Sequence, residues 1–374
     1  MIRLSKSIVG LQEWEALRRV LIEDGYLGMG KEVQLFEKEL QQFLRTDRQV
    51  ICVNSGTAAI QLATMAVAKP GDEVLVQSLT FVATFQAIVA AGAIPVACDV
   101  DPETITIDLK DAENRLSKKT KAIMPVHYAS GVGDLNEIYD FARNNNLRVI
   151  EDAAHAFGTL YKGKLVGTFG DISCFSFDGI KNITSGEGGA VVTNDEKVIR
   201  FVKDARLLGV QRDTEKRYLG QRSWEFDVTH LGYRYHMSNL FGAIGRVQLQ
   251  RFENEFRPRR VELAKIYRQA LKDLPGVKLL QSDLGNVVPH IFPIRVLNGK
   301  RDNLRNWLLE KKIEVGIHYK PNHLLSYYGR KKGSLPITEK LYKELLTLPL
   351  HPDLSDEDVG YIIKSVEDFF RVSS

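Results

Sequence analysis

The chain reads as an α/β protein built around a mostly parallel sheet. From about residue 48 to 195, short β-branched runs alternate with helix-like stretches. Several of the runs are apolar at every position, as strands covered on both faces should be. The length, 374 residues, exceeds one ordinary domain. It predicts a large domain over residues 1–250 followed by a smaller one over 251–374.

The candidate strands cover residues 50–53, 73–77, 94–98, 122–126, 148–151, 172–177 and 190–193. Ser55-Gly56-Thr57 closes the first, and a helical pattern with Ile60, Leu62, Ala63 and Val67 apolar follows it. The apolar stretch from Phe81 to Cys98 is interrupted by Thr84, Gln86, Gly92 and Pro95. A membrane span needs ~20 nearly uninterrupted apolar residues, so this stretch reads as a helix running into a buried strand. After about residue 235 longer helical patterns dominate, over 238–255 and 258–274. No assignment is made for 276–283. Ser355 and Asp358 form a capping-box variant. Val359, Ile362, Ile363, Val366, Phe369 and Phe370 then share one helical face, which should pack on the small domain.

Composition narrows the function. Hydrophobic residues make up 44% and charged residues 26%, as in a soluble globular protein. A formal net charge of +4 is mild and gives no reason to expect a nucleic-acid or membrane surface. Cys52, Cys98 and Cys174 form no C-x-x-C pair, lie in apolar runs and read as buried thiols. No metal site is expected. The start, MIRLSKSIVG, lacks the apolar core of a signal peptide. A cytoplasmic location is therefore expected.

Three constellations carry chemistry. Asn54-Ser55-Gly56-Thr57 sits where a strand opens a helix, a point where free N–H groups attract phosphate. An ordinary capped turn would look the same. Glu151-Asp152-Ala153-Ala154-His155 follows a strand, and an acid at that edge can face a ligand crevice. Asp152 is the candidate to hold a pyridine nitrogen protonated, because Glu151 should point to the opposite face. His155 could stack on such a ring or bond its 3′-oxygen. Ser176-Phe177-Asp178-Gly179-Ile180-Lys181-Asn182 leads into the glycine-rich Ser185-Gly186-Glu187-Gly188-Gly189. A lysine that bonds an aldehyde must be held on a fixed scaffold and lose its proton readily. Lys181 fits, with Ser176 free to donate to phosphate.

Taken in order, S-G-T-A-A, T-F-V-A-T, P-V-H, E-D-A-A-H and F-S-F-D-G-I-K-N-I-T-S-G-E-G-G resemble the DegT-type family of sugar aminotransferases. The resemblance runs from Gly25-Tyr26-Leu27-Gly28 to Leu348-Pro349-Leu350-His351-Pro352. It implies a pyridoxal 5′-phosphate (PLP) enzyme of fold-type I, with a seven-stranded, mostly parallel sheet and a smaller C-terminal α+β domain. It implies Lys181 as the Schiff-base lysine and Asp152 on the pyridine nitrogen. His155 and Phe81 would take the two faces of the ring, and Gly56, Thr57 and Ser176 the phosphate.

In the family a neighbouring subunit also reaches the phosphate, from a segment like G-Y-N-Y-R-M. This chain has Gly232-Tyr233-Arg234-Tyr235-His236-Met237, so Arg234 stands in place of the usual Asn. Tyr26, His318 and Tyr319 match positions near the sugar. The resemblance implies a homodimer with shared active sites. Its substrates would be L-glutamate and a keto-sugar, nucleotide-linked and 4-keto by preference. The alternatives are a 3-keto sugar, a PLP-dependent sugar dehydratase, or a non-catalytic protein of the same fold.

Overall fold

The computed structural model describes residues 1–329 and 332–372. The seven apolar runs form the strands of one sheet: β1 (Gln49–Val53), β2 (Glu73–Gln77), β3 (Ile94–Cys98), β4 (Thr120–Met124), β5 (Arg148–Asp152), β6 (Ile172–Ser176) and β7 (Gly189–Thr193). Their order across the sheet is β1-β7-β6-β5-β4-β2-β3. Only β7 runs antiparallel to its neighbours; the β6-β5-β4-β2-β3 pairs are all parallel.

Alternation along each strand divides the core into two layers. Val50, Cys52, Leu75, Ile123, Val149 and Phe175 join one cluster, with Val33, Phe36 and Leu40 of helix α2 (Lys31–Leu44). Ile51, Val53, Val74, Val76, Ala122, Ile150, Cys174 and Val191 join the other. Helices α3 (Gly56–Val67) and α4 (Val82–Ala90) cover that second layer with Ala59, Leu62 and Ile88. Each large apolar side chain buried in this way contributes ~1.5–3 kcal/mol. All three cysteines are buried thiols with no disulfide.

The stretch 81–98 is a helix followed by a strand, as expected, but β3 is the sheet edge and not a buried strand. Ile94 is 45% exposed. Pro95 is tolerated because β3 pairs with β2 on one side only. Among the described residues no helix is long and apolar enough to cross a membrane.

A second, three-stranded antiparallel sheet is formed by β8 (Val277–Leu279), β9 (Phe292–Val296) and β10 (Leu345–Leu348). The unassigned 276–283 segment thus supplies a short strand. The expected division at residue 250 falls within an almost unbroken helical rod. Its parts are α6 (Asn239–Arg251), a π-helical turn (Phe252–Phe256) and α7 (Arg257–Leu271). The last helix, α8 (Asp356–Val372), begins at the expected cap: the Asp358 N–H donates to Ser355 Oγ over 3.0 Å. Its apolar face packs on the second sheet through Val359, Ile362, Val366, Phe369 and Phe370.

Residues at the beginning of the chain, expected in the large domain, also pack with the second sheet. Ile2 bridges Ile313, the Leu350 N–H donates to Leu4 O over 3.1 Å, and Ile2 lies against the second sheet's core.

One buried charge ties several elements of the first layer together. Helix α5 (Glu196–Ala205) ends at Arg206, whose side chain is fully buried. Its Nη1 donates to Glu37 Oε1 and to Cys52 O, both over 2.6 Å, and its Nη2 donates to the Tyr218 hydroxyl over 3.0 Å. Removing one partner of such a pair strands the other charge. We therefore expect Arg206→Ala to lower unfolding stability by roughly 3–5 kcal/mol, read as a fall in the urea midpoint at constant slope.

Candidate active site

The parallel strands all deliver their C-terminal ends to one edge of the sheet, where ligands bind in folds of this class. A cavity of about 410 Å³ opens there. It is lined by Lys181, Asp152, His155, Ser176, Gly56, Thr57, Phe81, His318 and Tyr319. Nine residues singled out from sequence therefore meet in one place. Tyr26 and Arg234 do not line it.

The strand β5 ends on two adjacent acids that face opposite ways. Glu151, fully buried, lies 2.8 Å from His127 Nε2 and 3.2 Å from Ser173 Oγ, and the Tyr139 hydroxyl donates to it. Asp152 turns into the cavity. Thr84 Oγ1 donates to its Oδ2 over 2.8 Å, and the Ala154 N–H donates to its Oδ1 over 3.2 Å. Burial pushes the Asp152 pKa up, against the pull of Thr84, Ala154 and the nearby Lys181. A buried carboxylate held by a hydroxyl and an amide is suited to a cationic ring N–H. Thr84 belongs to the sequence T-F-V-A-T, but its partner is 68 residues away and no local pattern reveals it.

Lys181 sits in the loop between β6 and β7. Burial pulls its pKa down to about 8, while Asp178 and Asp152 pull the other way. The loop is pinned from several sides. Ser7 Oγ donates to Gly179 O, Asn182 Nδ2 donates to Phe157 O and Val288 O, and Arg260 Nη2 donates to Lys181 O.

The α3 N-terminus forms one wall. Ser55 Oγ accepts the Ala58 N–H and the Ser55 carbonyl accepts that of Ala59, which leaves the Gly56 and Thr57 N–H groups as the helix's open donors. A Cβ at Gly56 would come 2.7 Å from Ser176 Cβ, so the helix can approach β6 only with glycine there. Gly189 is equally constrained, since a Cβ would meet Ser55 O at 2.4 Å.

The opposite wall brings His318 and Tyr319 from the C-terminal part of the chain. Tyr319 Oη lies 3.1 Å from His155 Nε2, and the Phe81 and Tyr319 ring centroids are 5.4 Å apart. His318 Nδ1 lies 2.8 Å from Thr347 Oγ1, and the Tyr128 hydroxyl donates to His318 O. Burial lowers the pKa of His318 to about 4 and that of His155 well below the usual imidazole value. His155 Nδ1 has no hydrogen-bond partner among the described residues. The His290 ring, which sequence reasoning missed, lies with its centroid 4.4 Å from that of His155, the two planes tilted by 48°.

These residues fit PLP: open helix N–H donors for a phosphate, an acid for a ring nitrogen, flanking rings, and an amine of lowered pKa. Among the described residues no group of three or more His, Cys, Asp or Glu could hold a metal ion.

The sequence pattern of the DegT/DnrJ/EryC1/StrS aminotransferase family matches residues 9–367. The chain belongs to this family. It is 38% identical to the GDP-perosamine synthase of Escherichia coli O157:H7, over 91% of each chain. The fold is similar to that of the aminotransferase TlmJ of Streptoalloteichus hindustanus, with TM-score 0.91, 32% identity and full coverage of both chains. It is also similar to Spr1654 of Streptococcus pneumoniae in its PLP form, with TM-score 0.89 and 28% identity over 100% and 99% of the two chains.

The lowered Lys181 pKa has a measurable consequence. The amine is protonated and inert below about pH 8 and becomes a nucleophile as pH rises through that value. In cofactor-free protein, borohydride trapping of an added aldehyde on Lys181 should reach half its maximum near pH 8. Surface lysines should need a pH near their ordinary pKa of ~10.4, and peptide mass analysis separates the two.

Proposed function

We propose that this protein is a PLP-dependent aminotransferase that moves the amino group of L-glutamate onto a nucleotide-linked keto-deoxysugar. The carrying observation is the meeting of Lys181, with its lowered pKa, and buried Asp152 in one cavity at the sheet edge. A GDP-perosamine synthase among the relatives supports a nucleotide-linked sugar as substrate. We take the keto group to be at C4, with C3 as the alternative that product analysis separates.

When bound, PLP supplies an electron sink for charge developing on the substrate carbon. Asp152 keeps the ring nitrogen protonated. The Gly56 and Thr57 amides and Ser176 hold the phosphate, and Phe81 and His155 take the ring faces. Lys181 Nζ carries a proton to and from the substrate carbon. Tyr319 fixes the His155 imidazole through its 3.1 Å contact, and His318 and Tyr319 line the side where a sugar would enter.

A homodimer with shared sites accounts for the two residues outside the cavity. Arg234 is exposed, and Leu219, Trp224, Phe226 and Leu231 nearby in sequence are exposed apolar residues, with Trp224 85% accessible. Tyr26 follows Leu21 and Ile22, also exposed, and its carbonyl accepts from Asn239 Nδ2 over 2.8 Å. We take these exposed apolar side chains as part of the surface that meets a second copy of the chain. We read Arg234 as reaching the neighbouring subunit's phosphate and Tyr26 as reaching its sugar.

Keto-sugar nucleotides incubated with the protein and L-glutamate should yield an amino sugar, identified by mass, together with 2-oxoglutarate. Lys181→Ala should abolish this transfer. Asp152→Asn should keep some cofactor and lose at least about a hundredfold in turnover, because an amide cannot hold the ring nitrogen charged. Near-normal turnover in Asp152→Asn at saturating PLP would remove Asp152 from the mechanism.

Arg234 has its own test. Arg234→Ala should weaken PLP binding by roughly tenfold or more, through loss of a charge-assisted contact. A mixed dimer carrying Lys181→Ala in one subunit and Arg234→Ala in the other then decides the geometry. If Arg234 acts across the interface, one site collects both lesions and the other binds PLP tightly. Weak binding at the remaining lysine, matching the Arg234→Ala homodimer, rules the cross-subunit role out.

A further inference from the structure

Behind Lys181, on the side away from the cavity, lies a guanidinium in an unusual setting. Arg260, on α7, is 2% exposed and forms no salt bridge among the described residues. Its hydrogen bonds go to backbone carbonyls: Nη1 to Pro289 O (3.3 Å), His290 O (3.2 Å) and Leu350 O (3.5 Å), and Nη2 to Lys181 O (3.4 Å). Its Nε has no partner among the described residues. Burial lowers its pKa, but only to about 10, so it stays a cation at neutral pH. An unpaired buried charge is costly, and a purely structural tie between carbonyls needs no charge. The neighbouring Arg259, in contrast, pairs with both Glu262 and Asp356.

We propose that Arg260 is a positioning residue for Lys181: it holds the lysine's carbonyl in place and sets a fixed positive charge behind its amine, which favours loss of the amine's proton. The proposal rests on the reading of Lys181 as the cofactor lysine.

Other charged groups act on the same amine. Asp178 in its own loop and Asp152 on β5 favour the protonated form. Glu187, from the glycine turn, lines the cavity. His155, His290 and His318 feel Lys181 and are kept neutral by burial, as is the Tyr319 phenol. Behind Arg260 lies His351, with Lys6 and Asp353 beside it. Among these groups Arg260 is the buried cation that opposes the two aspartates.

The test is a pH titration of the visible absorption of the bound cofactor, in wild-type protein and in Arg260→Gln and Arg260→Lys. Loss of the charge in Arg260→Gln should raise the midpoint by roughly half a unit to one unit. Arg260→Lys keeps the charge but loses the fork of carbonyl contacts, and should stay near the wild-type midpoint. An unchanged midpoint in Arg260→Gln overturns the proposal. So does an equal rise in both variants, which marks a loosened loop in place of a lost charge. In the wild type the midpoint should hold steady from about 0.05 to 0.5 M salt, because ions do not screen a buried pair well. A midpoint that drifts with salt overturns the proposal even where neither variant folds. A wild-type protein that binds PLP with no absorption tied to Lys181 overturns the cofactor reading itself, and this proposal with it.

Discussion

The structure depends on how two adjacent carboxylates are divided at the end of one central strand. Period-two alternation sends Glu151 into the protein and Asp152 into the cavity. The inner acid is met by His127, Tyr139 and Ser173, so its burial is compensated in place. The outer acid receives only Thr84 and a backbone amide, and burial leaves its proton affinity raised. A slip of one residue in β5 would exchange the two. The neighbouring strands β4 and β6 fix that register, through Ile123 opposite Val149 and Cys174 opposite Asp152.

The other site residues follow from the same edge. Because β1, β5 and β6 end together, Gly56, Asp152 and Ser176 meet without any long-range adjustment. Lys181 arrives on the loop that reverses the chain into the single antiparallel strand. That loop has a turn of its own, with the Lys181 N–H donating to Asp178 O over 3.1 Å, and is further pinned by Ser7, by Arg260 and by the bonds of Asn182 to Phe157 O and Val288 O. The C-terminal part of the chain closes the remaining side with His318 and Tyr319, so the site is complete only when that part is packed against the large sheet.

The strands were legible because burial on both faces writes continuous apolar runs, and all seven runs became strands of one sheet. The residues of the cavity were legible where a motif is local, as in E-D-A-A-H or S-F-D-G-I-K-N. Thr84, His290 and Arg260 were not, because each acts through a partner far along the chain; Thr84 and Arg260 sit in ordinary helices and His290 in a bend with no motif around it. The short strand at 277–279 was illegible for another reason: three residues carry too little alternation to stand out from a turn. The boundary expected at residue 250 falls inside the helical rod over 239–271, whose pattern continues past it without a turn signal.

That rod also constrains motion. A helix resists bending far more than a loop does, and this one packs on α2 at one end and under the second sheet at the other. The beginning of the chain pairs with the same second-sheet body, through Ile2 and Ile313. The rod carries one run of helical backbone from the sheet that bears the site to the second sheet, and the π-helical turn at Phe252–Phe256 is where its hydrogen-bond pattern changes between them. Phe81, 54% exposed at the start of α4, and Tyr319 facing it stand at the rim of the cavity that lies between the two ends of that run.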